Sequence, residues 1–328
     1  MNFIKTSKIL HCRRTVLFIL GLTASIFFGC ASSGKGFRIN IESGNSSNQK
    51  IRSLSESETP FYPADNQTDP DLPEMTSDEY ERLGDALLSK GSLHLAFMQY
   101  ERSIKLNPNN LRVECKKGLV LVLGKKNEDA IAQFQKVLEK DPNYAPAYEG
   151  LGRAFLQKRE FGEAESYFKK AVERNPRLWK SHNFLGNIYD FQKRFEQAAR
   201  QYTSALVVKP QQGLLYNNLG VSYYLAGKLE QAVEAFKEAL AVKYRKTRVY
   251  NNLGLALANL GRYSEALEAF KKGGGEARAY NNLGCIYLRQ EKFEEAIRCF
   301  QKAIELEPGF YARASENLKK AKAGNGQL

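Results

Sequence analysis

The residues with the most conspicuous recognition chemistry are three pairs of asparagines in the C-terminal half of the chain. Each pair lies in the same five-residue sequence, Tyr-Asn-Asn-Leu-Gly, and the pairs are Asn217 and Asn218, Asn251 and Asn252, and Asn281 and Asn282. An asparagine side chain has one carbonyl acceptor and one amide donor, so it can satisfy both backbone groups of one residue in an extended peptide. A regularly spaced row of them could therefore hold a peptide main chain without reading its sequence. The alternative is that the asparagines are structural.

The sequence offers no set of residues for catalysis. Two histidines, His94 and His182, follow the N-terminal segment, and neither has a metal ligand or a nucleophile at a useful spacing. A glycine-rich phosphate-binding loop is also missing. We therefore predict a protein that is not an enzyme and that needs no metal ion or cofactor.

The asparagine pairs recur because the chain itself is repetitive. The glycine that ends each Tyr-Asn-Asn-Leu-Gly sequence is followed 12 residues later by an alanine and four residues after that by an aromatic residue. The same pattern extends towards the N-terminus, and its glycines are Gly84, Gly118, Gly152, Gly186, Gly220, Gly254 and Gly284. They are 34 residues apart, except for a last step of 30. Such a period is typical of stacked helix pairs, which bury together an apolar face that one pair cannot bury alone.

This pattern resembles the tetratricopeptide repeat (TPR) family, which has an aromatic residue at position 4, Leu-Gly at positions 7 and 8, small residues at 20 and 27, an aromatic residue at 24 and proline at 32. The resemblance implies an all-α, right-handed superhelix of about seven helix-turn-helix repeats with a C-terminal capping helix. The implied repeats are 77–110, 111–144, 145–178, 179–212, 213–246, 247–276 and 277–310. The capping helix and tail would occupy 311–328.

The resemblance also implies which residues face a peptide-binding groove. In TPR arrays the first helix of each pair lines the concave side, mainly through positions 2, 5, 6, 9, 12 and 13. The residues at position 6, Asn218, Asn252 and Asn282, resemble the asparagine ladder of peptide-binding TPR superhelices, with Asn217, Asn251 and Asn281 beside them at position 5. Further candidates for contacts with peptide side chains are Arg248, Arg278, Tyr224, Leu255 and Leu288.

The N-terminal segment resembles the signal of a bacterial lipoprotein. Four basic residues and no acidic ones precede an apolar run at 15–28, which is too short for the roughly 30 Å hydrocarbon core of a membrane. Gly29 and Cys30 end the run, so the resemblance implies removal of 1–29 and lipidation of Cys30. The alternative is an ordinary signal peptide with an unmodified cysteine. Residues 30–76 are rich in polar residues and predict a disordered tether.

The predicted location limits the possible partners. Ala31, which follows the lipidated cysteine, is not the aspartate that favours inner-membrane retention, so we expect an outer-membrane lipoprotein that faces the periplasm of a Gram-negative bacterium. The net charge is +13, but the basic residues are spread over all repeats among glutamates, which is typical of solvated helix faces. We expect protein or extended peptide partners in the groove and no nucleic acid. An acidic partner, anionic lipid and a homo-oligomer remain open.

The sixth repeat is four residues shorter than the others. Its second helix is predicted to end at Lys272, before Gly273, Gly274 and Gly275. Because four residues are close to one helical turn, the flanking helices keep their phase. We expect a bend or hinge between Asn252 and Asn282, and the alternative is a deletion trimmed from a loop.

Cysteine usage indicates no disulfide framework. Cys115, Cys285 and Cys299 follow Cys30, and an odd number argues against systematic pairing in an oxidising compartment. We expect small buried or groove-lining residues, and a disulfide between Cys285 and Cys299 is the alternative.

These features together predict a scaffold. A lipid anchor, a tether and a peptide-binding array resemble the TPR lipoprotein of the tight-adherence (Flp) pilus system and the type IV pilotins. The resemblance implies assistance in the assembly of a pilus or of a secretion machine with a secretin. The alternative is an adaptor lipoprotein that docks cell-wall hydrolases or proteases.

Overall fold

The computed structural model of the chain describes residues 75–307 and 311–326, with the backbone alone for 311–313. These residues form fifteen α-helices and no strand, which confirms the all-helical TPR fold. The predicted signal segment, Cys30 and the tether up to residue 74 lie outside the described residues. None of the described helices combines the length and the apolarity that a membrane span requires.

The helices form seven pairs followed by one single helix. They are α1 Ser77–Ser89, α2 Leu93–Leu106, α3 Leu111–Leu123, α4 Asn127–Lys140, α5 Ala145–Lys158, α6 Phe161–Arg174, α7 Trp179–Phe191, α8 Phe195–Val208, α9 Gly213–Leu225, α10 Leu229–Ala241, α11 Thr247–Asn259, α12 Tyr263–Gly274, α13 Glu276–Arg289, α14 Phe293–Leu306 and α15 Tyr311–Gly324. In each pair but the last, the first helix begins at the first residue of the repeat that the sequence predicts. The helix α13 begins one residue earlier.

The core of each pair is an aromatic ring that lies on a glycine. In repeat 3, a Cβ atom added to Gly152 on α5 would be 2.8 Å from the ring of Phe168 on α6. The other six repeats have the same contact, at 2.5–2.7 Å. The alanines at position 20 are fully buried beside these rings. The aromatic ring therefore packs on the glycine of its own repeat.

The turn within each pair contains one residue in the left-handed conformation. It is residue 15 of every repeat, namely Gly91, Lys125, Arg159, Lys193, Gly227, Gly261 and Glu291, with φ between 58° and 81°. A left-handed residue commonly ends a helix and satisfies its last carbonyl groups. Only three of the seven are glycines, and each of the other four costs about 1–2 kcal/mol in this conformation. Because the residue type at position 15 varies, the sequence pattern did not predict this turn.

The described residues divide into two compact units between Arg245 and Lys246. The first unit contains α1–α10 and the second contains α11–α15. The division follows repeat 5, which lacks the closing proline of repeats 1 to 4 and has Lys243 at a φ of 63°. The bend or hinge that the sequence predicts at the glycine run of repeat 6 falls inside the second unit, where it stays a prediction.

The predicted end of α12 at Lys272 is wrong, because the helix continues to Gly274. Gly273 occupies position 27, where most other repeats have alanine, and it is buried. A Cβ atom there would be 2.9 Å from Asn251 Oδ1 and 3.0 Å from Tyr250 Cβ, so glycine lets the helix pack on α11. Gly275 alone then joins α12 to α13, at a φ of 85° that favours glycine.

Polar groups close both ends of the helical array. Thr76 and Glu79 form a capping box at the start of α1, in which each side chain accepts a hydrogen bond from the other residue's backbone N–H. At the other end, α15 buries Ala314 and Ala321 and exposes lysines on its outer face. A polar outer face is what a terminal helix of a repeat array requires.

We predict that Gly152→Ala destabilises the protein by about 1–3 kcal/mol, because the methyl group would overlap the ring of Phe168. Gly162→Ala is the matched control in the same repeat, since Gly162 is exposed on α6 with no atom within 4 Å of an added Cβ. This control should gain about 0.5–1 kcal/mol from helix propensity. Urea unfolding followed by circular dichroism measures both changes, and a gain for both variants would contradict the ring-on-glycine contact.

Candidate peptide-binding site

The six candidate asparagines lie at different depths. Three are buried, with 2%, 7% and 2% of their surface exposed: Asn217, Asn252 and Asn281. Three are half-buried: Asn218, Asn251 and Asn282. In repeats 5 and 7 the asparagine at position 6 is the more exposed one, and in repeat 6 it is the asparagine at position 5. The sequence repeat therefore does not produce an equivalent row of accessible amides.

Asn218 hydrogen-bonds to the preceding repeat. Its Nδ2 atom donates to Asn183 Oδ1 at 3.1 Å, and its Oδ1 atom accepts from Asn217 Nδ2 at 3.4 Å. Asn183 lies at position 5 of repeat 4 and is 6% exposed. The side chain of Asn218 thus ties α9 to α7, which is a structural role. Sequence reasoning missed Asn183 because a phenylalanine, not a second asparagine, follows it.

A similar contact closes the second unit. Asn317 on the capping helix α15 donates from Nδ2 to Asn281 Oδ1 at 3.2 Å, and its Nδ2 atom is 3.6 Å from Cys285 Sγ. Both asparagines are 2% exposed. Asn317 of the capping helix therefore donates to the position-5 asparagine of repeat 7, just as Asn218 of α9 donates to the position-5 asparagine of repeat 4.

In repeats 1 and 2, charged side chains form the equivalent contact between the two first helices. Lys116 Nζ is 2.7 Å from Glu81 Oε1, and Arg112 Nη2 is 2.6 Å from Glu81 Oε2. Glu81 is only 5% exposed. Desolvation raises the pKa of Glu81, but the hydrogen bonds from Lys116 and Arg112 outweigh it, so the pKa lies below its usual value. Position 5 of a first helix is thus where it hydrogen-bonds to the next first helix.

The other candidates in the second unit form a more accessible surface. Arg248 and Arg278 are exposed at position 2, and Asn282, Leu255 and Leu288 are half-buried. Neither arginine forms an ion pair with a described residue, and the amide of Asn282 has no hydrogen bond within the described part of the chain. In the first unit, Tyr224 is half-buried.

His182 is a packing residue. It is 8% exposed, and its ring nitrogens lie 2.8 Å from Gln201 Oε1 and 3.1 Å from the Pro176 carbonyl oxygen. Tyr148, at the same position of repeat 3, donates to the Pro142 carbonyl oxygen at 2.9 Å. In repeats 3 and 4, the residue at position 4 thus ties the first helix to the loop before it. Over residues 75–307 and 311–326, no cluster of three or more metal-ligating side chains occurs.

Repeat 4 contains a polar cluster that joins its two helices, α7 and α8, and the first helix of repeat 5, α9. Tyr202 OH lies 2.7 Å from Asn187 Oδ1 and 2.9 Å from Asp190 Oδ2, and Ser222 Oγ donates to Asp190 Oδ1 at 2.7 Å. Burial raises the pKa of Asp190 to about 7, against the effect of the bonds from Ser222 and Tyr202. In repeat 1, Tyr100 likewise donates to Asp85 Oδ1 at 2.7 Å.

The sequence contains a pattern that could have predicted this cluster. Only repeats 1 and 4 have tyrosine at position 24, and only they have a side-chain oxygen acceptor at position 9. The other five repeats have phenylalanine at position 24 and, at position 9, Leu119, Arg153, Val221, Leu255 and Cys285. The tyrosine hydroxyl and its acceptor therefore occur together.

The alternative disulfide between Cys285 and Cys299 is not present, because Cys299 is a free, buried thiol. Cys115 is also free and buried. Burial raises the pKa of Cys115 to about 12 and that of Cys299 to about 11. Neither thiol is therefore activated as a nucleophile.

Comparisons with known proteins agree with this architecture. Three family models described as tetratricopeptide repeat match the chain, at residues 80–110, at 115–178, 185–241 and 226–278, and at 277–310. Together these matches cover most of the described helices. The chain belongs to the tetratricopeptide repeat family, whose fold serves as a scaffold for protein interactions.

Individual relatives are distant. Superkiller complex protein 3 of Homo sapiens is 32% identical over 77 residues, which is 24% of this chain and only 5% of that protein. Among solved structures, the APC/C hetero-tetramer Cut9-Hcn1 matches with a TM-score of 0.51 and 22% identity, over 74% of this chain and 49% of that one. Pseudomonas aeruginosa pilF matches with a TM-score of 0.49 and 24% identity, over 65% and 96%. The similarity to Cut9-Hcn1 shows the helical repeat fold alone.

We predict that Asp190→Asn removes part of the pH dependence of stability. The raised pKa lets the folded state keep its proton between about pH 4 and pH 7 while the unfolded state loses it, so the wild type loses stability as the pH rises through this window. The variant should therefore be more stable than the wild type at pH 8 by about 1–3 kcal/mol. Urea unfolding at pH 4.5 and pH 8 measures the difference. At pH 4.5 the two proteins should be similar, and parallel profiles would contradict the burial of this carboxyl group.

Proposed function

We propose that the protein is a non-catalytic TPR scaffold that binds extended peptide segments of partner proteins. We further propose that Cys30 anchors it by lipid to the outer membrane, facing the periplasm of a Gram-negative bacterium, where it assists the assembly of a pilus or of a secretin. The observation that carries the binding proposal is the accessible surface of the second unit. We call it the second-unit surface and define it by Arg248, Asn282 and Arg278 with Leu255 and Leu288.

The chemistry of this surface fits a peptide. Asn282 can donate to and accept from a peptide backbone, and the two arginines can pair with acidic side chains. Each neutral hydrogen bond contributes about 0.5–1.5 kcal/mol, and ordering a flexible segment costs several kcal/mol. Backbone contacts alone therefore give weak binding, and apolar contacts with Leu255 and Leu288 must add to it.

The first test is crosslinked affinity purification from native membranes, followed by mass spectrometry. The variant combines Arg248→Ala, Arg278→Ala and Asn282→Ala. Asn218 is left intact, because its removal would leave the buried Asn183 without its hydrogen bond. We expect a pilus or secretin component to be captured by the wild type and reduced about tenfold in the variant, which corresponds to about 1.4 kcal/mol.

A matched control separates binding from charge. Lys319→Ala with Lys320→Ala removes two positive charges from the exposed face of α15 in the same unit and should leave the capture unchanged. An unchanged catch in the triple variant would show that the second-unit surface does not bind the partner. Loss of cell-wall hydrolases or proteases from the catch, with no pilus or secretin component, would replace the assembly role with the adaptor role.

The anchor has its own test. Cys30→Ser should move the protein from the outer-membrane fraction of a density gradient to the soluble fraction, since Cys30 is the predicted acyl acceptor. Cys12→Ser is the control, because that cysteine precedes the predicted cleavage site and should have no effect. Retention of the Cys30→Ser protein in the outer membrane would contradict lipid anchoring at this residue.

A further inference from the structure

A second feature of the first unit has the chemistry of a recognition site. Arg153 lies at position 9 of repeat 3, on α5, with its guanidinium carbon 5.7 Å from the centre of the Phe184 ring on α7. Phe184 is 4% exposed and stacks in turn on Phe168, with ring centres 5.0 Å apart. The guanidinium therefore lies over a fixed aromatic surface between two neighbouring first helices.

The charge of Arg153 is only partly compensated within the described residues. It forms no ion pair and no hydrogen bond there, and its guanidinium contacts the Phe184 ring. Burial lowers its pKa, and attraction by Glu149 opposes this only partly. An arginine remains charged in proteins, so it cannot relieve this cost by losing its proton. A half-buried cation that lies on an aromatic ring and forms no ion pair is costly to the fold, and an anion from a bound partner can compensate it.

The acidic group that attracts Arg153 is already engaged. Glu149, one turn before Arg153 on α5, accepts a hydrogen bond from Ser181 Oγ at 2.8 Å. It forms no ion pair with Arg153. The outer N–H groups of the guanidinium are thus available for a planar, bidentate acceptor.

The same position of the next repeat adds a second donor. Asn187 lies at position 9 on α7, and its Oδ1 atom is 2.7 Å from Tyr202 OH. This contact fixes the orientation of the amide and leaves its Nδ2 atom without a partner in the described residues. Phe191, four residues further on the same face of α7, is 41% exposed. A guanidinium, an amide donor and an exposed aromatic ring therefore follow one another along this surface.

We propose that Arg153 and Asn187 bind the side-chain carboxylate of a glutamate or aspartate in an extended peptide segment of a partner protein, with an apolar neighbour of that residue on Phe191. The two donor groups match the two oxygens of a carboxylate, and the exposed ring favours a peptide over a small free anion. This inference rests on the proposed peptide-binding function and adds the chemical class of the ligand. It concerns the first unit alone.

The test compares pools of heptapeptides whose termini are acetylated and amidated. Each pool has uncharged random flanks and one fixed central residue, either glutamate or glutamine. Binding to the full-length protein in detergent is followed through the Nε–Hε signals of ¹⁵N-arginine. We expect the glutamate pool to bind about tenfold more tightly than the glutamine pool, and to shift one signal that is missing from Arg153→Gln.

Three variants separate recognition from packing. Arg153→Gln should abolish the preference for glutamate, and Arg153→Lys should retain only part of it because an ammonium lacks the planar fork. Arg200→Gln removes an exposed positive charge from the second helix α8, outside the positions that line the groove, and should leave the preference unchanged. Urea unfolding confirms that the variants are folded. A structural role of Arg153 would alter stability without altering the ratio between the two pools.

The contrary outcomes are distinct. Equal binding of the two pools to the wild type would overturn the carboxylate site and leave the proposed peptide scaffold standing. Binding only of a third pool, with central glutamine and a free C-terminus, would overturn the assignment to a side chain. No binding of any pool at millimolar concentration would also overturn it. The proposed binding by the second-unit surface fails separately, if its triple variant captures the same partners as the wild type.

Discussion

The contact between the position-24 ring and the position-8 glycine is the interaction on which each helix pair depends. A ring that occupies the space of a Cβ atom brings the second helix close to the backbone of the first, and no other residue than glycine leaves that space empty. The contact also determines which face of the first helix remains for the neighbouring repeat. In repeats 1 and 4 the ring carries a hydroxyl group, which reaches the acceptors Asp85 and Asn187 on that first helix.

Because equivalent first helices lie side by side, the positions that line the groove are also the positions through which repeats contact each other. Glu81 and Asn183 accept hydrogen bonds from the first helix of the next repeat, and Asn281 accepts one from the capping helix. A polar side chain there cannot give all its hydrogen-bonding groups both to a neighbour and to a ligand. The asparagines therefore divide into structural ones and accessible ones, and Asn282 belongs to the second group. An asparagine that recurs in the sequence is therefore not necessarily accessible to a ligand.

The fold could be predicted because its determinants are local and repeated. The spacing of glycine, alanine and aromatic residues within one repeat is enough to predict a helix pair. The site could be predicted only in part, because the burial of Asn217 and Asn252 depends on the neighbouring helices. The end of α12 was misjudged since three glycines suggest a helix end, whereas Gly273 is the small residue that lets α12 pack on α11. Position 15 was missed because four of its seven residues carry a side chain.

Glu81 and Arg153 show how structural and recognition charges differ in one unit. Both are charged side chains at the contact between two first helices. Glu81 has Lys116 and Arg112 within 2.7 Å, so removing water from it is offset by two cations of the same chain. Arg153 forms no ion pair in the described residues, and the Phe184 ring at 5.7 Å and the attraction of Glu149 offset the hydration that the guanidinium has lost only partly. A half-buried charge that forms no ion pair while the neighbouring Glu149 bonds elsewhere contributes little to stability, and an anion supplied by a partner would compensate it.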